Sequence, residues 1–126
     1  MKKLLTLLFS ILISLNSYGE WTKVSKSDNG ATHYVDIDTI KEHNGYVNWW
    51  ELGNFPKDKD GDMSSKGYIQ GDCGQSRHKI LAVYFYKQPM GNGETIQVNG
   101  DGKWDYLPPD TIGLEKLNFV CDYINQ

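Results

Sequence analysis

Cys73 and His78 stand five residues apart in the stretch GDCGQSRHKILAVYFY, residues 71–86. A thiol with an imidazole within hydrogen-bond reach is the equipment of a nucleophilic enzyme, because the base generates the attacking thiolate. The spacing works against that pairing. On a strand, side chains alternate faces with period two, so residues five apart point opposite ways. A turn at Gly74 to Ser76 would separate them further. The alternative partner for Cys73 is the one other cysteine, Cys121, and the compartment decides between a thiolate and a bridge.

The chain opens MKKLLTLLFSILISLNSYGEW. Two lysines, an apolar run from Leu4 to Leu15 and the small residues Ser17 and Gly19 form the three-part pattern of a secretory signal peptide. The run is too short for the roughly 20 residues that span a bilayer. Residues 1–19 are therefore expected to be a cleaved signal peptide, and residues 20–126 one domain with no membrane span. Export places the two cysteines where paired thiols persist as disulfides. Cys73–Cys121 is thus expected to be a structural bridge, and catalysis by Cys73 is set aside. Loss of Lys2 and Lys3 with the signal moves the formal charge from −3 to −5. An acidic domain with no basic run is a poor partner for nucleic acid or anionic lipid.

Other candidate chemistry is thinner. Asp58, Asp60 and Asp62 alternate in DKDGD, as carboxylates do in a calcium loop. An EF-hand loop needs glycine at its sixth place and glutamate at its twelfth; Met63 and Ile69 occupy those places. Lys57 and Lys59 also offset the charge, so a solvated loop is expected and no metal. His33, His43 and His78 lie on separate segments without the spacing of a zinc site. GNG at 91–93 lacks the third glycine and following helix of a dinucleotide loop. No serine–histidine–aspartate order or carboxylate pair appears, and the chain is read as a non-enzyme with no cofactor.

The elements that must carry these residues are short. SDNG, EHNG, PKDKDGD, CGQS, PMGNG and NGDG punctuate the sequence as turns. Between them, runs rich in aromatic and β-branched residues predict strands over 21–25, 31–36, 46–55, 66–73, 79–87 and 95–98, a meander of six antiparallel strands. After Pro108 and Pro109, with Asp110 or Thr111 as N-cap, the residues Leu114, Leu117, Cys121 and Ile124 recur at helical steps. The fold is expected to be α+β, a six-stranded antiparallel sheet with one C-terminal helix packed on one face and tied to it by the disulfide. Strand alternation assigns Leu81, Val83 and Phe85 to the helix side with Ile69 and Cys73. Ile80, Ala82, Tyr84 and Tyr86 then fall on the opposite side with Tyr68.

The ordered set of Trp21, YVDIDTI at 34–40, Ser64-Ser65, Asp72-Cys73 with Arg77, YKQPMGNGE at 86–94, WDYLPPDTIG at 104–113 and a final helix with Cys121 resembles the surface-adhesin protein E family of Gram-negative bacteria. The resemblance covers essentially all of residues 20–126. It implies a sheet with a disulfide-tethered helix, Cys73 and Cys121 as the pair, and a dimeric surface protein that binds host matrix and serum proteins; haem is also linked to the family. One local departure is the helix start. The family tends to place an acid three residues after its capping residue, where this chain has Leu114, so the reciprocal capping box is lost.

What remains is the sheet face that a single helix cannot cover. Tyr68, Tyr84 and Tyr86, with Trp50 and Tyr46 or else with Trp49, would form an aromatic surface there. Such patches often mark partner sites; the alternative is that loops, Trp21 or Trp104 cover it. The leading reading is an exported, non-enzymatic binding protein acting through protein–protein contact, with self-association as a homodimer. It would lie in the periplasm or on the outer cell surface. The second reading is a periplasmic small-molecule or haem carrier using the aromatic face.

Overall fold

The computed structural model describes residues 21–126. The expected signal peptide and its cleavage point lie outside the described residues. Six strands follow one another across an antiparallel sheet: β1 (Trp21–Lys26), β2 (Thr32–Asp36), β4 (Tyr46–Asn54), β5 (Ser64–Asp72), β6 (Arg77–Gln88) and β7 (Asn92–Asn99). Two short strands join at the margins. β3 (Lys41–His43) pairs with the first half of β4, and β8 (Asp105–Tyr106) with the first two residues of β6. β2 and β3 are in effect one strand broken by the 3-10 turn Ile37–Thr39, since both lie along the same edge of β4. The turn is held by Asp36, whose carboxylate accepts from the Asp38 N–H, and by the Thr39 hydroxyl, which donates to the Asp36 carbonyl. Helix α1 (Ile112–Ile124) follows, capped by Thr111, whose hydroxyl accepts from the Leu114 N–H at 3.3 Å.

The core forms between α1 and one face of the sheet. Val35, Val47, Trp49 and Ile69 from the strands meet Leu117, Val120 and Cys121 from the helix. Trp49 is fully buried, and its ring has room beneath α1 because Gly71, diagonal to it on β5, carries no side chain. A Cβ at Gly71 would come within 2.5 Å of Leu117 and 2.7 Å of the Trp49 ring. The disulfide Cys73–Cys121 closes the end of this layer, with Cα atoms 6.0 Å apart and a sequence separation of 48. The helix stripe expected from sequence, Leu114, Leu117, Cys121 and Ile124, faces the core, with Val120 added to it.

The expected strand faces hold for β5 but slip once on β6, and β4, whose two sets were both open, turns Trp49 to the helix and Trp50 away from it. A bulge lies opposite the Tyr68/Ile69 step: Tyr68 pairs with Ala82, and Ile69 with Ile80. The extra residue is Leu81, which is exposed, while Ile80 turns inward against the core. Alternation read straight through the segment put Leu81 inside and Ile80 outside. The bulge reverses both, since one inserted residue shifts the face of everything before it. Val83 and Phe85 keep the side expected of them, paired with Gly67 and Ser65.

Candidate functional site

The helix-free face of the sheet carries the aromatic residues. Trp50, Tyr68, Tyr84 and Tyr86 come from β4, β5 and β6, all at positions opposite in parity to Trp49 and Ile69. They gather because the strands are in register: Trp50 pairs with Tyr68, and Lys66 with Tyr84. The Trp50 ring stacks on Tyr68 with centroids 5.0 Å apart and lies 6.1 Å from Tyr84. Of the two tryptophans in sequence, Trp50 belongs to this face and Trp49 to the core. Tyr46 also stands here, with Trp104 against it at 5.0 Å.

At one end of the face, Trp21, Asp36, Thr39, Trp50, Lys66, Tyr84 and Tyr86 line a shallow cavity of about 360 Å³. Trp21 reaches it because it pairs with Asp36 at the sheet edge. The Lys66 ammonium lies 5.8 Å from the Trp21 ring and 5.4 Å from the Tyr86 ring, within cation–π range. Thr39 fixes the far wall by accepting from the Trp50 N–H at 3.0 Å. Towards the other end, Trp104 is held between Arg77 at 4.4 Å and Lys79 at 4.7 Å. Arg77 is tied to Asp72 at 2.9 Å, and that hydrogen bond raises the guanidinium pKa further above its ordinary range.

Sequence reasoning singled out Tyr68, Tyr84, Tyr86 and Trp50, and the sheet brings all four together. It left out Lys66, Asp36 and Lys79. Lys66 and Asp36 had a signal in their parity, shared with Tyr68 and Tyr34; Lys79 had none, since straight alternation puts it with Leu81 on the helix side and only the bulge brings it to this face. Read through the registers, Lys23, Lys26, Lys41, Lys66, Arg77 and Lys79 all occupy strand positions on this face, against the carboxylates of Asp36 and Asp72 and, at its margin beside Tyr68, Asp38 and Glu42. A face with more cations than carboxylates thus belongs to a chain of net charge −3.

The remaining candidates resolve separately. Cys73 is in the disulfide and carries no thiol, while His78 faces α1 near Gly113. Burial, followed by the charge of Lys116, lowers the pKa of His33; burial likewise lowers that of His78. His43 is exposed on β3, beside Asn44. Asp58, Asp60 and Asp62 converge with carboxylate oxygens within 4.8 Å of one another. The Lys87 ammonium stands against them, 3.0 Å from the buried Asp62 carboxylate, and donates to the Asp60 carbonyl. That lysine supplies the positive charge a metal would otherwise bring. No described helix is long and apolar enough to cross a membrane.

The model of the surface-adhesin protein E family matches residues 21–122, the sheet and nearly all of α1. This chain belongs to that family. Solved structures share its fold. Crystal form II of Haemophilus influenzae protein E superposes with a TM-score of 0.66 at 19% identity, covering 84% of this chain and 90% of that one. A second structure of Haemophilus influenzae protein E gives 0.63, also at 19% identity, covering 84% and 87%. Protein E from non-typeable Haemophilus influenzae gives 0.52 at 17% identity, covering 83% and 78%. No curated protein sequence matches the chain. The adhesin E fold accounts for the tethered helix and the meander; at this identity it carries no assignment of the face residues.

Proposed function

We propose that this adhesin E-family chain is an exported, non-enzymatic binding protein that makes protein–protein contact through the helix-free face, with host matrix or serum proteins as partners. The observation that carries the reading is the aromatic surface of Trp50, Tyr68, Tyr84 and Tyr86 on the face that α1 does not cover, half-buried and flanked by cations. Aromatic residues at the centre of a patch supply most of the energy of protein recognition, because they bury large rigid area at low entropic cost. The family match supports the surface role. The edge strand β7, exposed along all eight residues with Ile96 and Val98 at 58% and 48% exposure, offers unpaired backbone groups for self-association as a homodimer.

Residues 1–19 act in this account as a cleaved export signal, and the mature chain faces the periplasm or the outer surface. Protease accessibility of a tagged chain on intact cells, with lysed cells as control, tests the surface role: cleavage on intact cells supports adhesion, and protection until lysis contradicts it. The 360 Å³ cavity favours a second reading, a periplasmic small-molecule carrier. Haem is the weaker version of it, since the lining offers tyrosines but no histidine. A Soret shift on titration with haem would support that version, and an unchanged spectrum at micromolar protein would remove it.

A further inference from the structure

We propose that the helix-free face binds an acidic polysaccharide, seating sugar rings against its half-buried aromatic side chains and pairing sugar carboxylates with Lys66 and Lys79. The proposal rests on the same face being the binding surface, and it names a ligand chemistry for it.

Three observations converge. The first is the sign of charge. Six lysine and arginine positions share this face with Asp36 and Asp72, and with Asp38 and Glu42 at its margin beside Trp50 and Tyr68; Asp72 is already consumed by Arg77. Lys66 and Lys79 have no ion-pair partner among the described residues. Carboxylates elsewhere on the domain are screened beyond about 8 Å at physiological salt, so a ligand at the face meets a locally positive surface.

The second is the kind of surface between the charges. Trp50, Tyr68 and Tyr84 form one aromatic group and Trp104 with Tyr46 another. A pyranose has an apolar C–H face and a rim of hydroxyls. The electron-rich faces of aromatic rings attract polarised C–H groups, while rim groups such as the Asp36 carboxylate and the Tyr84 and Tyr86 hydroxyls can exchange hydrogen bonds with the ring substituents.

The third is spacing, and it decides between polyanions. Lys66 lies in the row of Tyr84, and Lys79 in the row of Gln70. Those rows are four residues apart along β5, about 13 Å at ~3.3 Å per residue. Nucleic acid carries a phosphate on every nucleotide and would leave most of its own charges unmatched on this face. A polysaccharide with a carboxylate on only some rings carries charge sparsely and places uncharged ring surface between, as the protein does.

The test is tryptophan fluorescence of the mature chain. Trp21, Trp50 and Trp104 report from the face while fully buried Trp49 does not. The probe is a hexasaccharide of alternating glucuronate and N-acetylglucosamine, with its methyl ester as the same ring chain lacking charge, and an oligouridylate hexamer as the phosphate polyanion. The expected result is a saturable change with the acid, at least tenfold weaker with the ester. Lys66→Gln and Lys79→Gln should each weaken the acid about tenfold, as loss of one charge-assisted contact predicts, with circular dichroism unchanged. No saturable change with the acid, equal binding of the ester, or tighter binding of the oligouridylate would each overturn the proposal. If the saccharide fails while a matrix protein still binds and Tyr84→Ala with Tyr86→Ala abolishes that binding, the protein-contact reading survives without it.

Discussion

The Trp50 ring stacks on the Tyr68 ring across β4 and β5, with centroids 5.0 Å apart, on the side of the sheet that α1 leaves open. One residue earlier, Trp49 is sealed beneath the helix. Two adjacent tryptophans thus divide the molecule's work. One builds the core that holds the sheet flat against α1, and the other builds the surface that the sheet presents.

Removing the tether should loosen the first without altering the second. Closing a loop with a sequence separation of 48 contributes about 4 kcal/mol in the chain-entropy account. Cys73→Ser with Cys121→Ser is expected to lose most of that in urea unfolding, and the wild type under reductant should lose the same amount. A change under 1 kcal/mol would show that packing of Leu117 and Val120 suffices alone.

Gly71 is required by contact. A methyl there would sit 2.5 Å from Leu117 and 2.7 Å from the Trp49 ring, so Gly71→Ala should destabilise by about 1–3 kcal/mol through overpacking. Thermal melting measures it, and an unchanged midpoint would mean that Trp49 has room to shift.

Between sheet and helix, Glu51 takes a hydrogen bond from the Trp49 indole at 3.0 Å and an ion pair from Lys116. Both charged side chains are largely buried, and stranding one of them is costly. Lys116→Met alone should cost about 3 kcal/mol. Adding Glu51→Gln should recover part of that, since the amide oxygen can still accept from Trp49 and no net charge is left inside. The sign of that coupling in a double-mutant cycle is the readout.

Stability should fall in mild acid. Burial lowers the pKa values of His33 and His78 below the ordinary 6.5, so the folded state holds both neutral while the unfolded chain takes up protons first. Their contribution is complete above pH 6.5 and is lost as pH drops from there towards the lowered values. Lys116 adds to the effect, and Glu51, with Glu115 at His33 and Asp105 at His78, opposes it. Urea midpoints at pH 7.5 and 5.5 should differ in that direction, and His33→Gln with His78→Gln should narrow the gap.

Most of the fold was legible from punctuation and alternation, because turn residues mark each hairpin and the faces of β4 and β5 follow period two without a break. The helix was legible from the recurrence of Leu114, Leu117, Cys121 and Ile124. Two things were not. The bulge at Leu81 leaves no mark in local composition, since it arises from how β6 meets β5 and exchanges the sides of Ile80 and Leu81. The short strands β3 and β8 are too brief to show a pattern and exist only because β4 and β6 extend past their longer neighbours. At the site, the aromatic members announced themselves by type. Lys66 and Lys79 did not, because a lysine on a strand looks like a solvated edge until registers place it beside Trp21 or Trp104.

The central claim, that the helix-free face is the binding face, is tested most directly by comparing two double variants for binding to a panel of immobilised matrix and serum proteins. Tyr84→Ala with Tyr86→Ala removes aromatic surface from that face, and Ile96→Ser with Val98→Ser alters exposed apolar positions on the other side of the sheet. With both variants folded by circular dichroism, the account predicts that the tyrosine pair loses binding shown by the wild type while the β7 pair keeps it. Full binding by the tyrosine pair, or loss confined to the β7 pair, would contradict it.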